Sequence, residues 1–88
     1  MSKPALTALA LSRVELINLA LAVSAAAVEA YSDDRFVTAS TNHALAARLW
    51  AHAGYNAKAN THTGLAAAID LEAAEAVVQA AQDLEEDY

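Results

Sequence analysis

At 88 residues with a net charge of −6, the chain is long enough for one domain, 1–88, and a domain of this size buries only roughly 60–65% of its unfolded surface. The absence of cysteine excludes a disulfide framework, thiol catalysis and a cysteine-based zinc site, and the acidic balance argues against direct nucleic-acid binding. Half of the 57% hydrophobic residues are alanine, 25 by count, and with two glycines and one proline this is a composition for closely packed helices rather than a sheet.

The first predicted element is the longest. Ser2–Tyr31 reads as one helix, with Ser2 as N-cap and Pro4 in the first turn, where its missing N–H costs nothing. Leu6, Leu9, Val14, Leu16, Ile17, Leu21, Val23, Val28 and Tyr31 fall within one arc of about 180°, wide enough to want cover on more than one side. Leu11 and Leu19 lie outside that arc, and Arg13 lies within it. Leu16 and Ile17 are expected at the centre of the core. Glu15 and Asn18 sit where a basic n-region and an unbroken apolar core belong, so no secretory leader is expected; Arg13, Glu15 and Glu29 interrupt the apolar run, so no membrane span is expected either, and the location expected is cytoplasmic.

Ser32-Asp33-Asp34 predicts a turn. Arg35–Ser40 reads either as a short helical turn or as an extended link, with Phe36 and Val37 plugging one end of the core. A second helix is predicted over Asn42–Ala53, capped by Thr41 or Ser40 and stopped by Gly54. Tyr55–Thr63 lacks apolar periodicity and reads as a loop with room for one helical turn. Thr63 then caps a third helix from Gly64 to about Leu84, in which Leu65, Ile69, Ala73, Ala76, Val77, Ala80 and Leu84 keep helical spacing. Asp70 offers a place for a kink, or for a split with the helix restarting there. The fold expected is all-α, a small bundle of three main helices with a long central N-terminal helix and an acidic tail from about residue 83.

No residue set carries recognisable catalytic chemistry. His43 and His52 are nine positions apart on one helix, on opposite sides of it, and His62 falls in the predicted loop, so the three read as solvent-facing or capping and no metal or cofactor is expected. Asp33 and Asp34 read as solvated turn residues. A helix-turn-helix over Ala44–Thr63 would present Lys58, Asn60 and His62, too few cations for phosphate contacts. Trp50, one position off the Leu45/Leu49 stripe and near Tyr55, is either an interface anchor or partly buried core.

Charge is the sharpest feature. Residues 1–58 hold all five basic groups and four acids, a balance of +1, whereas residues 59–88 hold seven acids and no Lys or Arg. The expectation is a small acidic non-enzymatic protein-binding module, an inhibitor or adaptor for a larger basic partner, with Glu72, Glu75, Asp83, Glu85, Glu86, Asp87, Trp50 and Tyr55 as contact residues. High alanine content fits a GC-rich bacterial or phage genome, where small antagonists such as anti-CRISPR proteins are encoded. The alternatives are a homo-oligomer paired through the first helix and a helix-turn-helix DNA-binding regulator.

Overall fold

A computed structural model describes residues 11–86, apart from the side chains of Glu85 and Glu86. It holds three helices: α1, Arg13–Ser32; α2, Phe36–His52; and α3, Asn56–Glu86. The expected all-α bundle with a long N-terminal helix is present.

α1 starts later than the sequence suggests. Ser12 is extended (φ −70°, ψ 164°) and closes a capping box: its hydroxyl accepts from the Glu15 N–H, and the Glu15 carboxylate accepts from the Ser12 N–H. One continuous helix through Ser12 is therefore ruled out, because the box is a stronger start signal than the unbroken run of helix formers around it. The caps expected at Ser2 and Pro4 lie outside the described residues. By length and composition alone α1 is long and apolar enough to cross a membrane, with a mean hydropathy of 1.5 over its most apolar 18 residues; here it lays Ala20, Ala27 and Ala30 against the bundle, fully buried.

Both connections are the same device. At the end of α1 the Arg35 N–H bonds the Ala30 carbonyl and the Asp34 N–H bonds that of Tyr31; at the end of α2 Tyr55 bonds Trp50 and Gly54 bonds Ala51. These are Schellman closures, each with a left-handed residue, Asp34 at φ 60° and Gly54 at φ 91°. The Gly54 stop falls where expected. The ambiguous Arg35–Ser40 stretch becomes the first turn of α2, with Phe36 packed on Ala30, Ala39 and Ile69 and Val37 left in solvent rather than plugging the core.

The predicted loop Tyr55–Thr63 is helix from Asn56 onward. Its threonines, poor helix formers, spend their hydroxyls on the preceding turn: Thr61 donates to the Ala57 carbonyl and Thr63 to that of Ala59, so Thr63 is no cap. Ala59 is buried and anchors the segment, and α3 passes Asp70 without interruption.

The helix that touches both others along its length is α2, not α1. Ala39, Ser40, His43, Ala46, Ala47, Leu49 and Trp50 are buried around half of its circumference. Short side chains on two adjoining faces let both neighbours approach closely, whereas α1's larger arc buries a single strip. The principal cluster joins Ala20, Ala46, Leu49, Trp50 and Ala59, with Leu16, Ile17, Val23 and Tyr55 at its margin.

α3 outruns the bundle. Its 31 residues span about 46 Å against about 25 Å for the 17 of α2. Its last buried residue is Ile69, Ala73 is half-buried, and every residue from Ala74 to Leu84 is exposed. The radius of gyration, 16.5 Å, exceeds the roughly 12 Å of a compact chain of this length for that reason.

Candidate functional site

Two of the three histidines meet. His43 on α2, 4% exposed, and half-buried His62 on α3 stack with ring centroids 5.1 Å apart, and their Nδ1 atoms are 2.9 Å apart. His62 Nε2 is 3.3 Å from Ser24 Oγ on α1, and Ser24 Oγ donates to the Ala20 carbonyl at 2.7 Å. That last bond sets the direction of the chain. The single Ser24 proton goes to Ala20, so Ser24 accepts from His62 Nε2–H. Neutral His62 then carries its proton on Nε2 and accepts at Nδ1, so His43 donates from Nδ1 and keeps an unprotonated Nε2. Burial pushes both imidazoles below their ordinary pKa, reinforced for His43 by His62 and for His62 by Lys58. The Ser24 contact runs opposite to nucleophile activation, since His62 donates to Ser24 rather than taking its proton.

The histidines were expected to be solvent-facing or capping. For His43 and His62 this is corrected: with residues 56–63 helical, His62 falls on the same face of α3 as Ala59, Ala66, Ile69 and Ala73. That i, i+3, i+7 spacing is the signal in the sequence, faint because alanine and histidine are weak markers of a core face. His52 is exposed. Among the described residues no group of three or more metal-ligating side chains comes together.

Two further contacts tie α1 and α2 to α3. Tyr31 O–H reaches both carboxylate oxygens of Glu72, at 2.8 and 3.0 Å, and this hydrogen bond is the main reason its pKa is raised. Ser40 donates to Asp70. At the other end the Arg13 guanidinium donates from Nε to the Ala53 carbonyl at 3.0 Å and lies 4.9 Å from the centre of the Tyr55 ring. Arg13 thus serves the C-terminal carbonyls of α2 instead of pairing with a carboxylate.

Trp50 is 4% exposed, edge-on to half-buried Tyr55 at 5.5 Å and covered by the Lys58 ammonium at 5.3 Å. Of the two roles its position admitted, the packing gives the core one. The residues of the helix-turn-helix reading are dispersed: Lys58 lies over Trp50, His62 turns inward and Asn60 is exposed.

The carboxylates stand apart from the histidines. Glu75 and Asp83 are exposed, the latter accepting from Gln79 at 3.0 Å, and Glu72 is exposed while holding Tyr31. Glu85 and Glu86 end α3 with side chains outside the described residues, and Asp87 lies outside them altogether. Beside these acids the core-facing strip of α3 runs on past the bundle through Val77, 70% exposed, and Leu84, 61% exposed. No family model matches the chain, and neither a curated protein nor a solved structure matches it.

Proposed function

We propose that the chain is a small acidic, non-enzymatic protein-binding module whose docking element is the projecting end of α3. One observation carries the reading: the face that packs on α2 through Ala59, Ala66 and Ile69 continues through Val77 and Leu84, both exposed. Exposed valine and leucine on a regular helix face form half of a helix-in-groove contact. Asp83 borders the strip while Glu75 stands on the opposite side of the helix, and no Lys or Arg occurs after residue 58, so like charges oppose pairing between two such ends. The complementary partner is a larger protein with a basic, apolar-centred groove. A protein whose basic surface handles nucleic acid is one such partner, and an acidic helix laid where phosphate would lie acts as an antagonist, the mode of an anti-CRISPR-like inhibitor in a bacterial cytoplasm.

The test is capture from a bacterial lysate by the immobilised full chain. Partners retained at low salt are expected to be lost at high salt, and lost also with Val77→Ser/Leu84→Ser or with Glu75→Lys/Asp83→Lys. Partners unaffected by both pairs of substitutions would place the interface elsewhere.

A second reading draws on α1. Val14, Leu21 and Val28 are exposed at seven-residue intervals, the repeat of a self-pairing helix. Sedimentation at micromolar concentration separates the two, a homodimer abolished by Leu21→Glu favouring this one.

A further inference from the structure

The Ser24–His62 contact divides the cleft between α1 and α3 into two hollows of opposite chemistry. One, about 340 Å³, has Lys58, His62 and Thr61 among its walls. The other has a volume of about 350 Å³, within the range of small-ligand sites, and is walled by Val28, Leu65, Ala68 and Ile69. Its polar residues are His43, Tyr31 and Glu72.

The directed hydrogen-bond chain makes this second hollow a site for donors. His43 gives its only proton to His62, so its Nε2 is a lone-pair acceptor on a ring that is 4% exposed. That nitrogen has no protein partner among the described residues, yet the one buried side-chain polar atom left both sealed and unpartnered there is Trp50 Nε1. His43 Nε2 is therefore reachable. The Tyr31 proton is already given to Glu72, which leaves the phenol oxygen and the carboxylate as acceptors. Each polar group of the hollow thus offers a lone pair, one of them carries a negative charge, and the net charge of −6 draws cations toward it.

We propose that this hollow binds an organic cation: an ammonium whose N–H groups reach His43 Nε2 and the Glu72 carboxylate, with an alkyl or aryl stem packed on Val28, Leu65, Ala68 and Ile69. The same chemistry is offered by a free hydrophobic amine and by a lysine side chain of a peptide. The site is independent of the α3 extension, so it fills or stays empty whether or not that extension finds its partner.

The test is an NMR titration of the full chain with 2-phenylethylammonium, followed at the methyl groups of Val28, Leu65 and Ile69 and at the His43 ring. Saturable shifts are expected with a Kd on the order of 1 mM, usual for so few atoms, and phenylacetate of the same shape should bind at least about tenfold more weakly. Glu72→Gln should weaken the ammonium about fivefold by removing the charge, and Ala68→Phe should abolish binding by filling the hollow. Both positions are exposed, so both variants are expected to keep the helical circular-dichroism spectrum. Acetyl-Leu-Lys-Leu-amide is titrated in parallel: tighter binding by the peptide assigns the cation to a partner's lysine, and tighter binding by the amine assigns it to a small molecule. The proposal is overturned by phenylacetate binding as well as the ammonium, by no saturable shift with either cation, or by both variants leaving the affinity unchanged.

Discussion

Between His43 and His62 one nitrogen has to accept, so the contact requires a neutral ring at the acceptor, and a doubly protonated pair would set two cations about 3 Å apart in the bundle. Both pKa values lie below the ordinary imidazole value, so the unfolded chain binds more protons than the folded one in mild acid. The stability this contributes is fully present above the unfolded value of about 6.5 and is lost as pH falls from there through the lowered native values. Urea unfolding followed on either side of that value should show an earlier midpoint on the acid side. A midpoint that does not move sinks the assignment. None of this was legible residue by residue: His62 joins His43 only if residues 56–63 are helical, and threonine and asparagine there spoke for a loop.

At the scale of the element, the two Schellman turns differ in one respect. Gly54 adopts φ 91° freely, and a Cβ there would meet no atom within 4 Å, so the cost of Gly54→Ala is conformational alone, about 1 kcal/mol. Asp34 holds φ 60° with a side chain, so Asp34→Gly is expected to gain about 0.5 kcal/mol. Both values can be read from denaturant midpoints, and opposite signs are the outcome to look for. Packing gives a second contrast. Leu49 on α2 is 1% exposed, whereas Leu16 and Ile17 on α1 are half-buried. Leu49→Ala should cost about 3 kcal/mol, and Leu16→Ala or Ile17→Ala less than half of that, the reverse of what a central first helix would require. Comparable losses at all three positions would return α1 to the centre.

Over the whole molecule, stability and the proposed docking element occupy different parts of one helix. None of residues 74–84 is buried, so a chain ending at Ala74 should unfold within about 0.5 kcal/mol of the full chain while losing partner capture. A large loss of stability on truncation would show that the extension is part of the core after all. The extension also carries Asp83 and the terminal acids at the negative end of the helix dipole, an unfavourable placement that a basic partner relieves. Salt should therefore raise the helicity of the free chain and weaken its capture of a partner, two opposite effects of the same charges.

By itself the sequence determined what local chemistry determines: the helical class, the Gly54 stop, the third helix from residue 64 onward and the concentration of net negative charge in the last thirty residues. Each rests on propensity, spacing or charge over a few turns, and needs no distant partner. Tertiary structure decided which helix lies between the others, because that depends on small side chains on two faces of α2 rather than on the size of α1's apolar arc. It also decided that Ser12, not Ser2, caps the described helix, that Trp50 is core and that His43 and His62 meet across two helices. Those outcomes turn on contacts between residues tens of positions apart, made possible by alanines whose value lies in the space they leave.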